Sequence, residues 1–118
     1  MSLALNVVVV AVALIHIYIL VLEMFLWDKP AGMKSFGNSP QRAADTKVLA
    51  ANQGLYNGFL AAGLLWALTL GPEGQSVKAF FLGCVLCAGL YGGLTVGRKP
   101  LFAQAFPAAV GILLLVLQ

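Results

Sequence analysis

Apolar residues along this chain come in four long runs, Leu3–Leu26, Val48–Leu70, Val77–Gly97 and Leu101–Leu117, separated by short polar stretches. Crossing about 30 Å of hydrocarbon takes ~20 predominantly apolar helical residues, so each run is read as a transmembrane helix. The alternating ten-residue segments of a barrel are absent, and an open sheet would leave its backbone unsatisfied in lipid. The first run has no basic leader, is longer than a usual signal core and carries His16 and Glu23. It is therefore read as a membrane helix and not as a cleaved secretory signal. The expected fold is all-α: a single domain, residues 1–118, forming a four-transmembrane-helix bundle.

The ends of the runs have local causes. Trp27 suits an interfacial anchor, and Asp28-Lys29-Pro30 stops the first helix because proline disfavours helical geometry in the residue before it. Ser39-Pro40 reads as N-cap and first helical residue, so the second helix can begin ahead of its apolar run. Arg42 at the third position rules out a capping box. Gly71-Pro72 ends that helix, Ser76 is expected to cap the third, and Arg98-Lys99-Pro100 makes a tight link to the fourth. Pro107 should bend the fourth helix and free a carbonyl.

Composition agrees with the pattern: 61% hydrophobic, 9% charged, mean hydropathy +0.94. Such a chain is neither disordered nor a disulfide-stapled secreted domain. A net charge of +3 without a basic face argues against nucleic acid as a partner. Charge adds orientation. Lys29, Lys34, Arg42, Lys47, Arg98 and Lys99 fall in 27–47 and 98–100, which four spans place on one side, with Lys78 alone on the other. The positive-inside rule makes 27–47 a cytoplasmic loop and leaves both termini outside, as in a bacterial inner-membrane protein. Topology and contact with anionic membrane lipids account for these basic residues.

The few polar residues within the runs then acquire depths. His16 lies near the middle of the first helix, and Glu23 sits seven residues, ~10 Å, further in on the same face. Asn52, Gln53, Tyr56 and Asn57 come early in the second helix and span an arc of ~140°. Tyr91 and Arg98 reach the same half from the third helix, and Gln104 from the fourth. The outer half reads as an apolar plug. A polar pocket in the cytoplasmic half is expected, with Arg98 as partner for Glu23, since an isolated charge at a helix centre costs about 2.5–3.5 kcal/mol. Each amide taken alone is explained as interhelical packing, and His16 alone as a hydrogen-bond donor.

Gly54-x-x-x-Gly58, Gly89-x-x-x-Gly93 and Gly93-x-x-x-Gly97 allow close helix approach, within the chain or in a homo-oligomer. Cys84-Val-Leu-Cys87 has redox spacing but lies well inside an apolar helix, away from the terminus that would activate a thiol, and reads as packing. No metal or cofactor motif is present in the sequence, because His16 has no accompanying ligands.

The run His16-Ile-Tyr-Ile-Leu-Val-Leu-Glu-Met-Phe-Leu-Trp27, Phe36, and the run Leu49-Ala-Ala-Asn-Gln-Gly-Leu-Tyr-Asn-Gly-Phe-Leu-Ala-Ala-Gly63 resemble the small bacterial and fungal membrane proteins grouped as domain of unknown function 1304. Asn52-Gln-Gly-x-Tyr-Asn-Gly58 is the most specific part. The resemblance implies a four-helix membrane protein and no particular activity. Three functions remain open. Small-molecule binding or proton-coupled transport ranks first, because separated titratable groups without a nucleophile suit it. An intramembrane enzyme acting on a lipid-like substrate, with His16 or Glu23 as acid or base, comes next. A structural subunit is the third.

Overall fold

A computed structural model describes residues 3–118, so the first two residues of the expected domain lie outside the described part. Five α-helices follow in order: α1 (Leu3–Met24), α2 (Pro30–Phe36), α3 (Pro40–Thr69), α4 (Gln75–Thr95) and α5 (Phe106–Leu117). A 3-10 turn occupies Gly71–Gly74 and a π-type turn Leu101–Ala105, and the described residues contain no strand. The all-α expectation holds, and each apolar run carries a helix. Two stretches are long and apolar enough to cross a membrane, Leu3–Met24 and Gly71–Thr95, while Leu101–Leu117 is apolar but shorter.

The punctuation residues act mostly as expected. Ser39 Oγ accepts a hydrogen bond from the Arg42 N–H at 3.1 Å, so Ser39 caps α3 with Pro40 behind it. Gly71 adopts a left-handed φ of 59°, which ends α3. Ser76 does not cap α4. Pro72 instead winds Gly71–Gly74 into the 3-10 turn, and the helix starts one residue before Ser76 without any side-chain cap. Helix α2 was not expected within 27–47. Its start and stop were nevertheless written in Pro30 at the first turn and in Gly37, left-handed at φ 67°. Pro107 acts on the hydrogen bonding of the turn before it. It has no N–H to offer Ala103, and the backbone just before it widens so that the Phe106 N–H reaches the Leu101 carbonyl.

The chain forms two compact units, residues 1–15 with 60–118, and residues 16–59. In the first, Leu5, Val9, Val12 and Ala13 of α1 form a buried core with Ala61 and Leu64 of α3, Leu82 and Val85 of α4, and Ala108 of α5. These helices carry little polarity on either face, and glycines let them approach closely around that core. A Cβ at Gly89 would lie 2.8 Å from Ala105 Cα and closer still to its backbone nitrogen. Gly111 packs on Leu82, and Gly63 receives the Phe81 ring.

The second unit is a corner built from the end of α1, helix α2 and the start of α3. Gly54 lies against Met24 and Glu23, and Gly58 against Leu20, so these parts of α1 and α3 run antiparallel with backbones close. Trp27 holds the bend: its indole N–H donates to Thr46 Oγ1 at 2.9 Å, and its ring packs on Phe36 with centroids 4.8 Å apart. Gly32 closes the corner, because a side chain there would strike the Leu26 carbonyl.

Gly89→Ala is expected to destabilise the protein in detergent by about 1–3 kcal/mol, as its Cβ meets backbone that cannot yield by rotamer change. Gly83→Ala, with no atom within 4 Å of the added carbon, is the control and should shift stability by less than about 1 kcal/mol. Thermal unfolding followed by circular dichroism compares the two.

Candidate functional site

Glu23 and Asn57 are the predicted site residues that the structure joins. Glu23 occupies the last turn of α1, where all the helical residues before it except Asn6, His16 and Tyr18 are aliphatic, and only 8% of its surface is exposed. Asn57 faces it from α3 and is 7% exposed. Its side-chain amide donates to Glu23 Oε1 at 2.7 Å and to its own helix's Gln53 carbonyl at 3.2 Å. Both amide protons are thereby used, and the amide is fixed with its nitrogen toward the carboxyl group. A buried acid whose hydrogen-bonding partner is a neutral amide carries no permanent countercharge there, so it accommodates a proton or a cation more readily than an acid locked to a guanidinium.

His16, the single histidine, is completely buried and partnered two turns before Glu23, as the seven-residue spacing implied. Asn52, Gln53 and Tyr56 are exposed, so the polar arc on α3 does not close around Glu23 as one cluster. Asn52 turns back to its own helix and donates to the Val48 carbonyl at 2.9 Å. The Tyr56 ring neighbours Phe59. The register explains the split: Asn57 falls on the small-residue face with Gly54 and Gly58, and the other three lie off it.

Tyr91, Arg98 and Gln104 belong to the other unit. Tyr91 and Arg98 are exposed there, and Gln104 is half-buried and partnered. Within its own unit the partner of Glu23 is the Asn57 amide. Cys84 is half-buried and Cys87 exposed, both free thiols, so the C-x-x-C pair is not the buried packing element the sequence suggested.

Near the site Lys47 Nζ lies 3.0 Å from Asp28 Oδ2. The hydrogen bond from Lys47 holds the Asp28 carboxyl below the usual aspartate range. This pair bridges the loop after α1 to α3 on the surface of the corner.

Sequence reasoning missed one polar cluster. At the other end of α1, Asn6 meets Lys78 and Gln75 beside an open cavity of about 570 Å³. The buried core of that unit is apolar, and this polar cluster lies beside it at the helix ends. Lys78 was counted only as an orientation signal; its position four residues into an apolar helix was the clue.

The fold and the Glu23–Asn57 pair define an all-α protein, with two helices of membrane-spanning length and an acid–amide tie between α1 and α3. Residues 10–116 match the model of the family described as Protein of unknown function (DUF1304), and the chain belongs to that family. Among its relatives is Uncharacterized protein YpaA of Lactococcus lactis subsp. lactis (strain IL1403), 28% identical over 104 residues, which span 86% of this chain and 87% of YpaA. No solved structure matches.

Two outcomes test the site's physical chemistry. Asn57→Leu leaves the Glu23 carboxyl buried without its donor and should cost about 1–3 kcal/mol, whereas Glu23→Gln keeps an acceptor oxygen and should cost less. Chemical unfolding in detergent measures both. For Asp28, the depressed folded-state pKa means that its stabilising effect is present above the unfolded value of about 3.9 and is lost as pH falls through the folded value. Acidification below about pH 4 should therefore lower the melting midpoint slightly more in wild type than in Asp28→Asn, and added salt should shrink that difference.

Proposed function

We propose that this is a four-span integral membrane protein with both termini outside, in which Glu23 couples a proton to the binding or transport of a small polar or cationic molecule. The observation that carries this reading is the buried Glu23 carboxyl held by the neutral Asn57 amide at 2.7 Å. One carboxyl oxygen is engaged by the amide, and the group can exchange a proton for a cation without breaking an ion pair.

Membrane insertion is supported by where the apolar residues point. Leu3, Val7, Val10, Leu14, Ile17 and Tyr18 form an exposed stripe along α1, and only 33% and 22% of the apolar windows in Leu3–Met24 and Gly71–Thr95 are buried. A core helix of a soluble protein would be mostly covered, so lipid is the natural cover for these faces. The first half of α1 also supplies Leu5, Val9, Val12 and Ala13 to the core, which suits a permanent helix better than a removable leader. The basic residues of 27–47 and 98–100 support a cytoplasmic side for both loops, with a bacterial inner membrane as the site of residence.

A structural role is the second reading, favoured by the full use of the Asn57 amide as a tie beside Gly54 and Gly58. Reconstitution in phosphatidylcholine vesicles carrying a pH gradient separates the two. Under the transport reading, adding choline or ethidium should discharge the gradient through wild-type protein. Glu23→Gln should slow the discharge by about tenfold or more while the protein remains folded. Equal discharge from wild-type, variant and protein-free vesicles rejects coupling and leaves the structural role. Chemical conversion of the vesicle lipid would instead make the protein an intramembrane enzyme.

A further inference from the structure

The least expected polar group in the molecule is Lys78. It lies one turn into α4 and is 5% exposed, although lysine is almost never buried unless paired. Its ammonium donates to Asn6 Oδ1 at 2.9 Å and to Gln75 Oε1 at 3.1 Å. Both acceptors are neutral, and among the described residues no carboxylate stands within ion-pair distance of the ammonium. Three ammonium protons and two acceptors leave one donor over.

The two amides add to this. Because each gives its oxygen to Lys78, each keeps its NH₂ group as a donor beside the ammonium. All three residues line the cavity of about 570 Å³, together with Gly71, Pro72 and Gln118. That volume admits a polyatomic group. Its walls come from the first turns of α1 and α4, the last turn of α3 at Leu68, the 3-10 turn and Gln118, so the cavity lies at helix ends and not at mid-helix.

We propose that this cavity binds a phosphate-type oxyanion, with the Lys78 ammonium supplying the countercharge and the Asn6 and Gln75 amides additional hydrogen bonds. A lysine ammonium binds phosphate as a point charge, and several convergent donors match the several oxygens of a tetrahedral anion. The same chemistry is offered by the phosphodiester of an anionic lipid and by free inorganic phosphate. The site is independent of the role of Glu23.

The test uses the full chain in nanodiscs of phosphatidylcholine, with inorganic phosphate titrated in, and in discs that also contain phosphatidylglycerol. Native mass spectrometry and phosphorus NMR read bound anion. Binding of inorganic phosphate in the phosphatidylcholine discs supports the site with a free anion as ligand. Selective retention of phosphatidylglycerol supports it with a lipid headgroup. Lys78→Met should weaken either by about tenfold or more, and Lys78→Arg, which keeps the charge, by much less. Should Lys78→Met fail to fold, Gln75→Leu removes one amide and keeps the ammonium, and is expected to bind measurably more weakly than wild type. Wild-type protein that neither binds phosphate nor prefers phosphatidylglycerol overturns the proposal, as does undiminished binding by folded Lys78→Met.

Discussion

Close approach of helices that have almost no polar face is the constraint on which this structure rests. Where a water-soluble helix sorts its faces by polarity, α1, α4 and α5 are apolar nearly all round, and close approach depends on where glycine stands. Gly54 and Gly58 bring α3 against the end of α1 in one unit, and Gly89, Gly93 and Gly111 receive Ala105, Leu101 and Leu82 in the other. Larger residues such as Leu14, Phe80 and Leu94 are turned outward. Close contacts between helices thus fall where glycine stands, while leucines such as Leu5, Leu64 and Leu82 fill the buried core.

Polar groups obey the same geometry. Asn57 reaches Glu23 because it stands on the small face of α3, where the backbones are near enough for a short side chain to cross. Asn52 and Gln53, chemically equivalent and only a turn away, stand off that face and do not cross. Lys78 meets Asn6 by the opposite means, with a long side chain that spans the space between helix ends. One polar contact depends on proximity and the other on reach.

Helix boundaries were legible to the extent that proline and glycine wrote them. Ser39-Pro40 and Gly71 did what their conformational preferences dictate, and even the unforeseen α2 is bracketed by Pro30 and Gly37. Ser76 misled because a preceding 3-10 turn can carry the chain into a helix with no cap at all. The candidate site was half legible. Seven-residue spacing put His16 and Glu23 on one helical face, where both are buried, and depth selected Asn52, Gln53, Tyr56 and Asn57 together. Depth carries no azimuth, though, so it could not separate Asn57 from Gln53. The Lys78 cluster was illegible by composition, since a single cation among apolar residues looks like a topology signal whichever way its side chain turns.

The widened turn at Leu101–Ala105 sets the start of the fourth apolar run apart from the α-helices around it. The bond from the Phe106 N–H to the Leu101 carbonyl and the missing donor at Pro107 make it an irregular joint in the helical ladder of that run. Ala105, the last residue of this joint, is also the residue seated against Gly89. A carbon added at Gly89 would therefore press on backbone whose helical ladder is already interrupted at Pro107, immediately before the whole of α5.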